Sequence, residues 1–470
     1  MSQAIAYTAL SQRRPAQVSA VDALRRKVKG AVIEPGGAGW DAATQAFNLT
    51  VRQEPALTAV PVDERDVVAI VEFARSQGMQ VTAQRTGHNA EPLGSLDDVI
   101  LVKTDALQGV EIDAERRIAR VRAGAKWGDV VPRASDRGLA ALHGSTPDVS
   151  VAGYSLGGGV GWYARKLGLS SNSVRAIELV TADGELRRVD HDHEPDLFWA
   201  LRGGGGSFGI VTALEVQLYA IPDIYAGVLF FPWERASEVL HAWREWTETV
   251  PEELTSVGRI LQFPPIPELP DHLRGGKFVV VEGIYMGDEA SGSDLMRPIR
   301  DLGPAVDTFA MVEPVGLAEL HMDPPAPVPY TGSGHMLGQL DAAAIDRFLA
   351  AAGPESASTL VSSEIRHLGG ELQRVRPGNG ALATFDAEYL TFAVGLVMSE
   401  GDYAAHRGAI AAHADAFALY ENGRQYLNFT EEHTDPARFY TPHTYRRLRA
   451  VKRAYDPDNL IRANHPILPA

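Results

Sequence analysis

The 470-residue chain is 45% hydrophobic and 22% charged, with 45 Gly, 29 Pro and no Cys, the composition of a loop-rich globular protein long enough for about three domains of about 150 residues. Its 44 basic residues against 60 acidic ones leave a formal charge of −16, a field that repels nucleic acid and anionic membrane. Without Cys there are no disulfides, thiol nucleophiles, Fe–S clusters, Cys-ligated zinc or cysteinyl cofactor links.

Residues 1–18 read as a flexible lead-in. No stretch reaches 18 consecutive apolar residues, and Arg13-Arg14 has no apolar run behind it. The expectation is a cytoplasmic protein with neither a transmembrane helix nor an export signal. Val21, Leu24 and Val28 share a helix face ending at Gly30, ahead of a strand at Ala31–Ile33. Asp63 is the expected N-cap of a helix on which Val67, Ile70, Val71 and Ala74 recur at i, i+3, i+4 and i+7, and Gly78 ends it. Strands follow at 80–83, 99–102, 109–112 and 117–123, with a turn at 85–89 and a helix at 126–136 that Gly138 stops. Residues 142–161 read as a loop. Strands 174–181 and 185–189 flank the hairpin signal Asp183-Gly184. A short helix at 196–201 and a strand at 209–218 complete this part.

The composition shifts near Ile221-Pro222-Asp223, where we place a domain boundary. Beyond it, apolar strands at 228–231, 278–284, 360–365 and 389–397 alternate with helices at 234–249, 342–352 and 404–419. Two Pro-rich stretches, 263–276 and 323–332, read as surface loops or lids. A strand at 425–430, a helix at 444–454 and an extended tail at 456–470 close the chain. Trp243 and Trp246, three apart on one helix, read as core. His191-Asp192-His193-Glu194 puts two His on one face but offers no further ligands, so we expect no metal site.

Two glycine patterns match dinucleotide motifs. Gly204-x-Gly206-x-x-Gly209 opens the β-branched run IVTALEVQL rather than the helix a pyrophosphate site needs. Gly159-x-Gly161-x-x-Ala164, with Glu178 further on, follows a Gly/Ser-rich loop instead of a strand. Together, however, the backbone N–H groups of 85–89, 144–161 and 203–209 could cradle a large diphosphate cofactor.

These runs also carry a family resemblance. Arg85-Thr86-Gly87-His88, Gly124-Ala125-Lys126-Trp127-Gly128, Gly144-Ser145-Thr146-Pro147-Asp148-Val149 with Gly153 and Gly157–Gly161, Asp196–Gly205 with Ser207–Thr212, Tyr426-Leu427-Asn428-Phe429 and Lys452–Leu460 occur in that order. They resemble the flavoproteins of the vanillyl-alcohol oxidase and p-cresol methylhydroxylase type, in the berberine-bridge-enzyme-like branch. The resemblance is dense over about 48–219 and 424–467. It implies an α+β protein: a discontinuous FAD-binding domain (1–220 with 424–470) and an α/β substrate-binding domain with an antiparallel sheet (221–423).

The resemblance further implies FAD bound covalently through His88 alone, because Thr146 stands where many relatives carry a second, cysteinyl link. FAD contacts would come from Arg85, Thr86, Gly87, His88, Asn89, Gly144, Ser145, Thr146, Val149, Ser150, Val151, Gly153, Gly158, Gly161, Gly209, Ile210, Val211, Tyr426 and Asn428. Val151 occupies the position of the oxygen gate. Tyr426 is the candidate base, sharing a strand face with Asn428 and needing a lowered pKa to act near neutrality; Tyr389 and Tyr154 stand behind it. The implied activity is oxidation of an alcohol, hemiacetal or C–N centre of a small molecule, with O2 reduced to hydrogen peroxide. An oxygenating tailoring enzyme and a ligand-sequestering flavoprotein are the alternatives. The sequence leaves the substrate and the oligomeric state open.

Overall fold

The computed structural model describes residues 15–267, 271 and 273–470. Most of the expected lead-in therefore lies outside the described residues, and from Pro15 the chain is helical to Lys27. Its Val21 and Leu24 are buried against the first sheet.

That sheet has four strands in the order Ala31–Ile33, Leu57–Val60, Val99–Lys103, Gln80–Gln84, with the last three parallel. Helix Glu64–Gln77 makes the crossover from Leu57–Val60 to Gln80–Gln84, and Val99–Lys103 pairs between the two. Asp63 caps it by accepting the N–H groups of Arg65 and Asp66, and Gly78 closes it at φ 65°. Val67, Ile70, Val71 and Ala74 are all buried, as their spacing predicts.

A second, antiparallel sheet follows in the order Val110–Asp113, Ile118–Arg122, Ile210–Gln217, Val174–Val180, Leu186–Asp190. The run after Gly209 is a strand, which removes the first dinucleotide motif. Glu178, the acid of the second, makes a bidentate ion pair with Arg120 instead.

Residues 224–396 supply the third sheet, eight antiparallel strands. Its outer face is covered by helices Ala236–Thr247, Ala342–Ala352 and Asp402–Phe417, with Trp243, Trp246, Phe348 and Phe417 in the core between them. Strands Leu254–Gln262 and Tyr330–Leu337 and helix Glu289–Arg300 went unread in the sequence. Gly258, Gly332 and Gly334 dilute their β signal, and Pro298 lies inside the helix.

Two local expectations are corrected. The 142–161 segment is not all loop: Ser150 caps a short helix, Val151–Leu156. Residues 425–430 form no strand; Leu427–Phe429 is a single 3₁₀ turn. No helix among the described residues is long and apolar enough to cross a membrane.

The C-terminal segment returns to the first sheet. Helix Pro442–Tyr455 buries Lys452, whose ammonium donates to the carbonyls of Ser207 and Ile461 (2.7 Å each) and to Asp456 (2.5 Å). The Asp456 carboxylate also accepts the N–H groups of Leu460 and Ile461. The tail then bridges strand Gln80–Gln84 through Val81 and Ile461. A fully buried charge keeps its position only while its partner is present. Lys452→Met should therefore leave Asp456 uncompensated and cost about 3–5 kcal/mol in chemical denaturation, whereas the double variant with Asp456→Asn should recover a measurable part of that loss.

Candidate functional site

The turn after strand Gln80–Gln84 is held from three sides. Arg85 donates to the carbonyl of Gly124 (2.6 Å) and pairs with Asp105 (2.7 Å), and Lys103 donates to the carbonyl of Arg85 (3.1 Å). Phe47 donates its N–H to the carbonyl of Thr86. Gly87 has φ 79°, and a Cβ there would lie 2.7 Å from the amide of Gln84, so the turn needs glycine on both counts. His88 emerges from it with its ring stacked on Phe47, centroids 3.7 Å apart. Asn89 donates to the carbonyl of Leu427 (3.0 Å), tying the turn to the returning C-terminal segment.

Facing His88 is the 144–151 segment. Asp148 lies 3.8 Å from His88 Nε2 and is ion-paired with Lys126. Burial would raise its carboxyl, but the His88 ring and the Lys126 ammonium outweigh burial and hold it below the ordinary range. The backbone N–H groups of Trp127 and Val151 are bonded to Val149 and Ala125 respectively, so the G-A-K-W-G run and this segment form one unit.

The chain then passes Gly157–Gly161 to meet Tyr426. The Tyr426 hydroxyl accepts three N–H groups, from Gly159, Val160 and the Asn428 side chain, each at 3.0 Å. Asn428 also donates to the carbonyl of Tyr154. The shared strand face expected for Tyr426 and Asn428 does not exist, yet the 3₁₀ turn brings both to one point. The sequence called for a lowered Tyr426 pKa. Burial instead pushes it up to about 12, against the pull of the three donors.

The inner face of the eight-stranded sheet roofs this seam. Leu390 and Met336 pack with Tyr426, Val160 and Phe385, while Val257 packs against Trp162 and Tyr163. Within this apolar face runs a buried ribbon of alternating charge: Arg259, Glu282, His321, Glu364 and Arg366. Arg259 donates to Glu282 (2.8 Å); His321 bridges Glu282 (2.5 Å) and Glu364 (2.9 Å); Arg366 donates to Glu364 (2.6 Å). Burial and Arg259 oppose a proton on His321, but Glu282, Asp323 and Glu364 prevail and raise its pKa. Arg366 reaches a small cavity shared with Ser145, Val160, Trp162, Thr255 and Val257.

The Pro-rich loop 323–332 is a clasp rather than a free surface loop. Ser145 donates to Asp323 (2.9 Å), Val328 exchanges backbone bonds with Phe47 and Leu49, and the Tyr330 hydroxyl donates to the carbonyl of His88 (2.9 Å).

Among the other sequence candidates, Tyr389 is turned away from this seam. It points to the helical side of its strand, its hydroxyl 2.8 Å from Thr247 and its ring stacked on His367. Tyr154 is fully enclosed, edge-on to Trp127, and burial holds its hydroxyl well above the ordinary range. Gly144, Gly158 and Gly161 line the bend around Tyr154 and Tyr426; Thr146, Val149 and Ser150 lie between Lys126 and the short helix, which Val151 begins and which contains Gly153. Gly209, Ile210 and Val211 begin a strand paired with Val174–Val180. His191 and His193 are exposed, and His193 bonds Asp190.

Sequence reading missed Lys126, Asp148 and Tyr330 as site residues, and the whole charge ribbon. A signal existed for Glu282 and Arg259: each is a lone charge inside a strand of apolar residues, VVVEGI and SVGRIL. Such a charge must be paired when it folds inward.

The residues around His88 fit a flavin. Asn89 Oδ1 is buried without a hydrogen-bond partner in this turn, and the glycines opposite leave backbone close at hand. Comparison with known proteins gives the same result. A family model described as FAD binding domain matches residues 55–190, and one described as berberine and berberine like matches 425–468. The chain is 29% identical over 478 residues to (R)-6-hydroxynicotine oxidase of Paenarthrobacter nicotinovorans, covering 94% of this chain and 97% of that protein. The solved BBE-like 1 protein of Physcomitrella patens superposes with a TM-score of 0.83 at 21% identity, over 95% of this chain and 98% of that one. Glucooligosaccharide oxidase of Acremonium strictum, which carries a 6-S-cysteinyl, 8α-N1-histidyl FAD, superposes with a TM-score of 0.81 at 22% identity, over 96% and 99%. With both matched segments in place on an α+β fold, the chain is an FAD-linked oxidoreductase, similar over nearly its whole length to oxidases of this kind and, in its C-terminal segment, to the berberine-like proteins.

Proposed function

We propose that this protein is an oxidase whose FAD is held by a single covalent bond to His88, and that it oxidises an alcohol, hemiacetal or C–N centre of a small molecule with O2 as acceptor. The observation that carries the reading is the meeting of three distant segments at one seam: the His88 turn, the 144–161 segment and Tyr426 with Asn428. The flavin supplies a two-electron acceptor for the hydride leaving the substrate carbon. Residues 221–423 provide the substrate-binding half and 1–220 with 424–470 the cofactor half. The similarity to a hydroxynicotine oxidase favours the C–N arm of this proposal, and that to a glucooligosaccharide oxidase favours the sugar arm.

The residues divide the work. His88 anchors the cofactor, and Thr146 in the cysteine place limits the linkage to one bond. Val151, small and buried, leaves room beside it for O2. Tyr426 receives the proton as hydride departs. Three N–H donors on one phenolic oxygen form a cradle for phenolate, even though burial raises the cost of the charge. Gly159, Val160 and Asn428 thus act on Tyr426 as an oxyanion hole acts on a substrate. The roof excludes water and, through Arg366, brings a positive charge to the cavity wall.

The covalent reading predicts that acid-precipitated protein stays yellow, that a tryptic digest contains one flavinylated peptide and that it includes His88. His88→Ala should keep FAD that washes out on denaturation. Flavin on another peptide would refute the assignment.

The Tyr426 reading makes a pH prediction. With a pKa near 12, its phenolate fraction rises about tenfold per unit over about pH 7 to 9. The limiting rate of anaerobic flavin reduction should climb with pH in that range, and Tyr426→Phe should lower it on the order of 10²–10⁴-fold with the cofactor retained. A flat profile combined with a Phe variant within about threefold of the unmutated rate would take Tyr426 out of the proton transfer. Peroxide release with a candidate substrate separates the oxidase from a sequestering flavoprotein, and ¹⁸O incorporation from O2 into product separates it from an oxygenase.

A further inference from the structure

The His88 ring is constrained from more directions than anchoring a cofactor demands. Phe47 stacks on its face at 3.7 Å with a 22° tilt, which fixes the plane of the ring. Tyr330 holds the His88 carbonyl, which fixes the backbone behind it. The edge carrying Nε2 is turned toward Asp148, and Nε2 is buried with no hydrogen-bond partner. Asp148 is itself held by two contacts, its ion pair with Lys126 and its own N–H directed to Thr146 Oγ1 at 3.5 Å. Its side chain is only 13% exposed.

A neutral imidazole carries one N–H and one lone pair, and the group facing one nitrogen decides which nitrogen has which. A carboxylate on the Nε2 side selects the Nε2–H tautomer and leaves the lone pair on Nδ1. The 3.8 Å separation is longer than a direct hydrogen bond, and the carboxylate acts on this edge of the ring through its charge. Asp148 occupies the variable position of the G-x-C-P-x-V resemblance, so nothing in that motif requires an acid there.

We propose that Asp148 is the positioning residue for covalent flavin attachment: it holds the Nε2–H of His88 and takes that proton while Nδ1 forms a bond to the 8α-carbon of FAD. This rests on His88 being the attachment residue. In the step, one C–N bond forms, while a C–H bond of the 8α-methyl and the N–H bond of the imidazole break. The two electrons and two protons released remain with the isoalloxazine, the imidazole proton reaching it by way of Asp148. The product is a two-electron-reduced flavin, which dioxygen reoxidises with release of hydrogen peroxide. Lys126 keeps the carboxylate ionised and aimed. The lowered pKa of Asp148 keeps its carboxylate ionised at neutral pH, the state that can face and hold an N–H.

The test uses the full-length protein purified with its FAD. The readout is the fraction of flavin that stays with the polypeptide after acid precipitation, followed against incubation time in air. The unmutated protein should be wholly acid-stable. Asp148→Asn should purify with FAD that acid releases, and should convert to the acid-stable form on the order of 10²-fold more slowly. Asp148→Glu, which keeps the carboxylate, should recover attachment, as should added formate with Asp148→Ala. A structural role alone would not respond to formate. If Asp148→Asn attaches flavin as fast as the unmutated protein, or if formate leaves Asp148→Ala unchanged, the proposal fails while His88 stands as the attachment site. Should Asp148→Asn not fold, the formate response of Asp148→Ala and the recovery in Asp148→Glu decide it. Acid-labile flavin in the unmutated protein would instead overturn the His88 reading itself.

Discussion

Between Gly157 and Gly161 the backbone passes closer to its neighbours than any side chain allows. A Cβ on Gly157 would lie 1.8 Å from Asn428 Oδ1, on Gly159 2.6 Å from the Tyr154 ring and from Ser170, and on Gly161 1.8 Å from the carbonyl of His143. This close passage lets two consecutive backbone N–H groups reach the Tyr426 hydroxyl. Through Tyr426 it fixes the returning C-terminal segment, through Asn89 that segment fixes the His88 turn, and through Leu390 and Met336 it seats the roof. The site is therefore assembled by contacts between segments hundreds of residues apart, not by any one element.

The two halves of the seam use different physics. On one side, two backbone N–H groups and the Asn428 amide converge on the Tyr426 oxygen, an arrangement that favours negative charge there without a counter-ion. On the roof side, full charges are buried but arranged so that each carboxylate lies between cations. Buried ions are tolerated only in such company. The acid-base groups nearest the seam are accordingly held away from their solution behaviour, Tyr426 upward by burial and Asp148 downward by Lys126 and His88.

Much of the cofactor half was legible because its signals are local. Asp63 and Gly78 delimit a helix by capping, Asp183-Gly184 makes a hairpin, and the His88 turn announces itself through Gly87. The pattern at 425–430 misled, since QYLNFT alternates like a strand while its backbone groups are taken up by Asn89, Arg438 and a local turn. Tyr389 misled in another way. Period-2 alternation tells which residues share a face but not which face looks inward, and only the packing of Leu390 against Tyr426 settles that. Asp148 and most of the charge ribbon depend on partners 22 to 60 positions away, a separation that no spacing rule encodes.

The ribbon from Arg259 to Arg366 also bears on how this cavity can diverge. Its five groups form one cross-linked network, so replacing any one leaves a neighbour short of a partner in the interior. Of the five, only Arg366 lines the cavity, and the apolar lining residues Val160, Ala164, Val257 and Leu368 have no such coupling. A methylene more or less there costs little and is compensated locally. The charged ribbon behind Arg366 is thus held fixed while the apolar lining remains adjustable, so this cavity tolerates changes of size and shape more readily than changes of charge.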